Sequence, residues 1–382
     1  MNIILSSQDI HSLVDQNEKE KKETELLKEK IEEHKNDFLE KPFNRFDLYK
    51  SVIIDDMHID GFVMKYPDGW VVRQSDRIWH FRGESACYPT SQPTFIRKLK
   101  NKSKEEKRVF EFVTNLKLFE FFNVLNKLDH YHYFRNLHIT IGNKHSFIDV
   151  LFYNIAQHYG FDTNLLDITS DFEVALFFAC CKYCNNKWLP LTNKDFCKNE
   201  ESKYGRIFRR RADCYRNRMY PVEKYVVFPV GFQPFMRCHM QYSYAIEMDE
   251  DMDLNKSESG FECLKFEQSE KLCNYIYSKM KNGELIYPQE GLHFISGELK
   301  QIQEKSQFSL EAFMAVYKNL NWGYSETELK IFLEKFGFII GGTNIAINQS
   351  KIEMINNYYE NFDIEKSYNI KLTTRFNFWP QS

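Results

Sequence analysis

The chain has no uninterrupted apolar run approaching the roughly 18 residues that a membrane-spanning helix needs, so no transmembrane segment is expected. Residues Met1 to Ile10 lack the basic start and long apolar stretch of a secretory signal. The nine cysteines are odd in number and irregularly spaced, which excludes an obvious disulfide framework and fits reduced thiols in the cytoplasm. There is no excess of basic charge. The formal net charge is -3, so general nucleic-acid binding has no bulk electrostatic support. No Gly-rich phosphate loop and no Gly-x-Ser-x-Gly elbow occur. Cys180, Cys181 and Cys184 have no second Cys-x-x-Cys or His-x-x-x-His pair to complete a zinc site, and read as buried thiols of a core helix. Asp249, Asp251, Asp253 and Asn255 imitate the opening of a calcium loop, but Leu254 and Gly260 stand where that loop needs Gly and Glu. No metal site and no internal repeat are expected.

What is present is a core-forming composition: 43% hydrophobic and 16% aromatic residues in 382. The length suggests one large domain with additions, or two domains. Residues 17–40 are rich in Glu and Lys around a narrow stripe that includes Leu26, Leu27 and Ile31, which predicts a charged helix packed on the body or partly frayed, with a coiled coil as the alternative. Strands are expected at 51–54, 69–72, 78–81, 206–208, 225–230 and 242–248, with a closing edge strand at 370–378. Helices are expected at 103–135 (one or two), 146–159, 174–184, 308–320 and 326–336, and a loop at 188–204. Strands and helices do not alternate regularly. The predicted class is therefore α+β, a mixed β-sheet core with flanking helices and helical additions at both ends. The predicted division is a charged N-terminal helix over 1–45, a central domain over 46–300 and a mostly helical extension over 301–382.

Two stretches concentrate polar chemistry in otherwise apolar surroundings. In Trp79-His80-Phe81-Arg82-Gly83-Glu84, a strand ends in Arg82, placed to grip a phosphate or carboxylate, beside a Gly83 backbone that a ligand can approach. The structural alternative for Arg82 is an ion pair with a buried carboxylate. In Ala156-Gln157-His158-Tyr159-Gly160-Phe161-Asp162-Thr163-Asn164-Leu165-Leu166-Asp167-Ile168-Thr169, a helix stops at Gly160 and a short strand follows. His158 at a helix end caps it in the ordinary case. Asp167 follows two Leu residues and must be paired or face a ligand, with Arg82 as its simplest partner. Thr169 or Ser170 is expected to cap the helix beginning near Asp171. Arg206, Arg209, Arg210, Arg211, Arg216 and Arg218 form the strongest basic cluster, open to a nucleic-acid reading but more ordinarily a solvated loop or internal charge balance.

These stretches resemble the FRG family of bacterial and phage proteins, named for its Phe-Arg-Gly strand, over roughly residues 75–250. Gln157-His158-Tyr159-Gly160 is similar to the family's central signature, and Arg237 followed by Gln241 to its C-terminal element. The chain departs from the pattern at Asn164, where Arg is usual, at Ile168, where Trp is common, and at Ser243, where Gly is usual. The layout also resembles that of ADP-ribosyltransferases. That resemblance implies NAD as cofactor, a catalytic set of Arg82, His158, Asp167 and Gln241, and nucleotide contacts from Arg82, Gly83, Gln157, Tyr159, Thr169 and Arg237. Gln241 stands where such enzymes carry Glu. The resemblance further implies a cytoplasmic effector in conflict between bacteria and phages. The expected partner is a nucleotide or protein ligand, with neither a membrane nor a nucleic acid, and the N-terminal helix is a candidate for self-association.

Overall fold

The computed structural model describes residues 2–33, 62–66, 69–73, 79–136, 138–141, 144–147, 150–184, 187–211, 224–230, 233–319, 323–362 and 377–379. Its centre is a seven-stranded mixed sheet. The strands are β1 (Asn2–Leu5), β2 (Trp79–Glu84), β3 (Leu165–Thr169), β4 (Tyr204–Arg211), β5 (Val227–Pro229), β6 (Ser243–Glu247) and β7 (Glu262–Glu267). Their spatial order is β1-β7-β4-β2-β3-β6-β5. β1 runs parallel to β7, and the other neighbours are antiparallel. The α+β expectation holds.

The helices that position the site are α1 (Ser7–Glu33), α2 (Lys104–Leu125), α3 (Phe152–His158), α4 (Phe172–Cys180), α5 (Met236–Met240) and α6 (Glu270–Lys279). Apolar on nearly every side, α4 is buried accordingly. It packs in one cluster with Phe81 and Ile207 of the sheet, Ile10 and Val14 of α1, and Leu272, Cys273 and Ile276 of α6. A second cluster combines Leu166, Ile168, Phe208, Tyr244 and Ile246 with Met248, Met252 and Leu254. Asp171, rather than Thr169 or Ser170, caps α4, accepting from the amides of Glu173 and Val174. Thr169 supports the cap from behind by accepting from the Asp171 amide.

The Asp171 carboxylate is fully buried, and Glu173 nearly so. Both are held by α1: Lys21 Nζ lies 2.8 Å from Asp171 and 2.6 Å from Glu173, and Asn17 donates to both. Lys279 of α6 makes a further pair with Glu173 at 2.8 Å. Carboxylates at a helix N-terminus also meet the favourable end of its dipole. The first half of α1 thus packs on the body. Residues 34–40 of the expected helix, and the expected strand at 51–54, lie outside the described residues.

The helix expected at 174–184 ends at Cys180, because Cys181–Cys184 pairs as a hairpin with Lys187–Pro190. The loop expected at 188–204 holds that second hairpin strand, a short helix over Asn193–Phe196 and a 3-10 turn over Glu200–Lys203. Thr192 and Asp195 form a capping box there, and Asn199 caps the turn. The helix expected at 146–159 starts only at Phe152, since Lys144–Phe147 is a strand. The closing strand, described over Asn377–Trp379, lies inside a five-stranded sheet and not at its edge. It pairs with Gly69–Arg73 on one side and Lys144–Phe147 on the other.

The C-terminal helices share cores with the rest of the chain. Phe313 and Phe308 are fully buried against Phe112 and Leu116 of α2, with the Phe112 and Phe313 rings 5.4 Å apart. Ile302, Ile352, Ile355 and Tyr359 pack with Phe121, Tyr159 and Phe235. Fully burying each such side chain contributes about 1.5–3 kcal/mol.

Candidate functional site

β2 and β3 share one bridge, Phe81 with Thr169. Beyond it the strands part, and a cleft of about 320 Å³ opens, lined in part by Arg82, Glu84, Tyr88, Arg97, Asp167 and Gln241. Arg82 spans the gap. Its Nη1 donates to the Asp167 backbone carbonyl at 2.8 Å, and its Nε donates to Glu84 at 3.1 Å. The ion-pair partner of Arg82 is therefore Glu84, and the expected Arg82–Asp167 pairing runs through the main chain of Asp167. Alternation along β2 explains the arrangement, since residues two apart share a face. Arg82 and Glu84 share one face, while Phe81 and Gly83 meet α4. A Cβ on Gly83 would lie 1.7 Å from the Ala175 carbonyl oxygen, so the close approach that this glycine permits is taken by the backbone of α4.

Glu84 is buried and shared. It accepts from Arg82, from Ser91 Oγ at 2.6 Å, and from both Nε and Nη2 of Arg206 at 2.8 and 2.6 Å. Burial pushes its carboxyl upward, but Arg82 and Arg206 outweigh burial and hold it below the usual carboxylate range. The basic cluster thus divides. Arg206 and Arg210 are buried, Arg210 donating to the carbonyls of Ser259 and Tyr225. Arg209 and Arg211 extend over the Trp79 ring, with Arg209 paired to Glu262. Arg216 and Arg218 lie outside the described residues.

Asp167 is the second acid of the cleft, with 39% of its side chain exposed. Its Oδ2 accepts from Gln157 Nε2 at 3.4 Å. Its Oδ1 accepts no hydrogen bond from the described residues and lies 4.0 Å from His158 Nε2. His158 is buried behind Asp167, where Nε2 hydrogen-bonds Ser243 Oγ at 2.9 Å. Burial lowers its pKa, Asp167 opposes that effect and Arg237 adds to it, and the outcome is downward. His158 does not line the cleft. Neither do Gln157, Tyr159 or Arg237.

Tyr159 points away from the cleft, into the core shared with the C-terminal helices, and its hydroxyl donates to Glu290. Glu290 is fully buried and also accepts from the Met236 amide at 2.8 Å and from Tyr359 at 2.9 Å. Burial raises its pKa in spite of these donors. The Arg237 guanidinium lies between the Tyr159 and Tyr287 rings, 4.0 and 3.6 Å from their centroids, and donates to the His158 carbonyl at 3.2 Å. Its geometry is that of a buried cation stacked on two aromatic faces. Thr169 lines the cleft with its hydroxyl donating to the Gln241 carbonyl. Gln241 lines it too, with Nε2 donating to the Ile286 carbonyl at 2.9 Å.

Of the expected residues, the structure brings Arg82, Gly83, Asp167, Thr169 and Gln241 to the cleft, and sets Gln157, His158, Tyr159 and Arg237 behind it. Sequence reasoning missed Tyr88, Arg97, Ser91 and Glu290; Arg206 was named in the basic cluster, and its pairing with Glu84 is the internal charge balance expected there. Only the last turn of Thr94–Leu99 could have flagged Arg97, because that short helix carries no motif. Glu84 was legible from its position two residues after Arg82. Among the described residues, no cluster of three His, Cys, Asp or Glu side chains could hold a metal ion. No helix among them is long and apolar enough to cross a membrane.

The family model of the FRG domain matches residues 77–187, from the start of β2 to the hairpin after α4. The match includes Arg82, Gly83, Gln157, His158 and Asp167, and ends before Arg237 and Gln241. No curated protein and no solved structure matches the chain. The strand bearing Arg82, the buried helix against Gly83 and the Gln-His-Tyr-Gly turn before Asp167 all fall within the segment, residues 77–187, that matches the FRG domain.

Proposed function

We propose that the cleft between β2 and β3 binds a phosphorylated nucleoside of the NAD type, and that the protein acts as an ADP-ribosyltransferase-like or NAD-cleaving enzyme. The observation that supports this reading is one cleft holding two guanidinium groups, Arg82 and Arg97, and a half-exposed carboxylate, Asp167. Arg82 Nη2 makes no hydrogen bond to another described residue, which leaves it for a phosphate oxygen. Tyr88, 39% exposed, offers a ring for a base. The cleft volume lies near the lower end of the roughly 300–1,000 Å³ of small-ligand sites.

In this reading Arg82 holds phosphate and Asp167 faces the ribose. The bond from C1′ to the nicotinamide nitrogen breaks, and nicotinamide leaves with the bonding electrons. The positive charge left on the ribose is stabilised by the Asp167 carboxylate. An acceptor hydroxyl or water then attacks C1′ and gives its proton to Asp167. Asp167 thereby supplies the acid that Gln241 does not. A cytoplasmic effector acting in conflict between bacteria and phages would draw on this chemistry by consuming NAD or modifying a target.

A second reading, a nucleotide-binding module without catalysis, is favoured by Gln241, whose amide is fixed on the Ile286 carbonyl and has no acid–base chemistry. The two readings separate when the purified protein is incubated with NAD and nicotinamide release is followed by mass spectrometry. Enzymatic release should fall about 10²–10³-fold in Arg82→Ala and Asp167→Asn. A rise in melting temperature with NAD but no release would leave the binding module. Neither release nor a thermal shift would sink both readings.

A further inference from the structure

Asp167 owes its orientation to a chain of hydrogen bonds whose direction can be worked out. The Leu165 amide donates to Thr163 Oγ1 at 3.2 Å. The Thr163 hydroxyl has one proton, and it goes to Gln157 Oε1 at 2.5 Å. Gln157 Oε1 is thereby fixed as the acceptor end of the amide. The NH₂ end has to face Asp167, where Nε2 donates to Oδ2 at 3.4 Å. Thr163 is buried, so water does not compete for its hydroxyl. The chain starts at a main-chain amide of β3 and ends on the carboxylate two residues further along the same strand, and reversing the Gln157 amide would set its carbonyl oxygen against Asp167 Oδ2.

We infer that Gln157, oriented by Thr163, is a positioning residue that holds Asp167 Oδ2, the oxygen on the cleft side of the carboxylate, towards the ligand, while Oδ1 is buried against His158. This inference rests on the reading of Asp167 as the working carboxylate of the cleft. It accounts for the spacing of Gln157, Thr163 and Asp167, which the motif alone leaves unexplained. Asp167 receives this single donor and no other hydrogen bond from the described residues. The charged and titratable groups around it are Arg82 and Glu84 from β2, Tyr88 and Arg97 lining the same cleft, His158 from α3, Arg237 and Cys238 from α5, and the buried Glu290 beyond them. Arg82 meets the main chain of Asp167, and His158 lies too far from Oδ1 for a hydrogen bond, so neither replaces Gln157 as a donor to the carboxylate.

If Thr163 loses its hydroxyl, Gln157 Oε1 loses the donor that fixes it, and the amide no longer holds one orientation against Asp167. The test follows the Asp167 carboxyl carbon by NMR on the full chain at neutral pH, with Asp167→Asn to assign the signal. Gln157→Leu and Thr163→Val should each displace that signal, since both remove the fixed donor from Oδ2. Thr163→Ser, which keeps the hydroxyl, should leave it in place. An unchanged signal in both Gln157→Leu and Thr163→Val would overturn the inference, as would a displacement in Thr163→Ser equal to that in Thr163→Val. If Thr163→Val does not fold, Gln157→Leu decides alone. The NMR readout does not depend on turnover. Nicotinamide release by the same variants, acidic limb included, then tests the catalytic reading separately.

Discussion

Replacing Gly83 by Ala puts a methyl group into space already filled. The added Cβ would stand 1.7 Å from the Ala175 carbonyl oxygen, 2.6 Å from its carbon and 3.0 Å from the Ala179 amide nitrogen. All three are backbone atoms, so no side-chain rotation relieves the clash. Reaching an ordinary carbon–oxygen contact of about 3.3 Å requires α4 and β2 to separate by at least about 1.6 Å. A gap of ~0.5–1 Å already forfeits a quarter to a half of the dispersion attraction across an interface. Behind α4 stand Ile10, Val14 and Ile276, all essentially inaccessible, which leaves the helix no room to retreat. Overpacking of this kind costs about 1–3 kcal/mol, and the upper end applies where both surfaces are backbone. With an unfolding entropy of ~2.1 cal/mol/K per residue, the 382-residue chain gains about 0.8 kcal/mol/K, so 3 kcal/mol lowers Tm by about 4 °C. Differential scanning calorimetry measures this, with two controls. The nearest atoms to a Cβ at Gly205 belong to the Phe266 and Gln268 side chains, which yield more readily than backbone, so Gly205→Ala should cost less. Gly297→Ala meets nothing within 4 Å, lies in the helix Ser296–Glu304, and should be neutral or slightly stabilising. Equal melting of Gly83→Ala and wild type, or an equal loss in Gly297→Ala, would refute the reasoning.

Glu84→Gln leaves Arg206, 5% exposed at its side chain, without its counter-ion, and should destabilise by about 3–5 kcal/mol in a urea titration at neutral pH. An unchanged midpoint would mean that the Arg82–Glu84–Arg206 group is not a structural unit. His80, His130 and His158 are each lowered by burial, His80 to about 3 and His130 to about 4. Their folded forms bind fewer protons than the unfolded chain below pH 6.5, so this contribution is full above 6.5 and is lost as pH falls towards 4. Each histidine contributes a slope of up to about 1.4 kcal/mol per pH unit, readable as a fall in urea midpoint from pH 7 to pH 5, and a flat profile would contradict the assignment. Burial works against the charge on Lys21, but Asp171 and Glu173 outweigh it and raise its pKa. Lys21→Met should therefore lower Tm by several degrees, and should do so less in Glu173→Gln, where one carboxylate is already neutral; strictly additive losses would show that the residues do not interact.

What the sequence revealed of the fold followed its periodicity. α4 was legible because Val174 to Ala179 is apolar without interruption, and β2 because Trp79 to Phe81 is an apolar strand run. Nothing in the residues of Cys181–Cys184 announces a hairpin, which is fixed by pairing with Lys187–Pro190, so the apolar run predicts one longer helix. The Thr192–Asp195 capping box lies inside the stretch whose polar composition predicts a loop. In the site, Arg82 and Asp167 stood out because a charged residue in an apolar run must be satisfied somewhere. Their actual partners depended on register: Phe81 opposite Thr169 sends the Arg82 guanidinium to the Asp167 main chain and leaves Glu84 to take the ion pair. Glu290 was invisible for a different reason. Its partners Tyr159, Met236 and Tyr359 come from three separate segments, and no local pattern joins them.

The docking of the N-terminus has a consequence for the order in which the chain assembles. β1 pairs with residues 263–266, and α1 needs Asp171, Glu173 and Lys279 to satisfy its polar face. During synthesis at ~5–20 residues per second, the first strand waits roughly 13–50 s for its partner to emerge. Through that interval β1 presents an open edge, with Ile3 and Ile4 adjacent in it, while α4 lacks one of the helices that cover it. The parallel pairing of β1 with β7 is among the longest-range contacts in the molecule, so β1 is made well before the strand it pairs with.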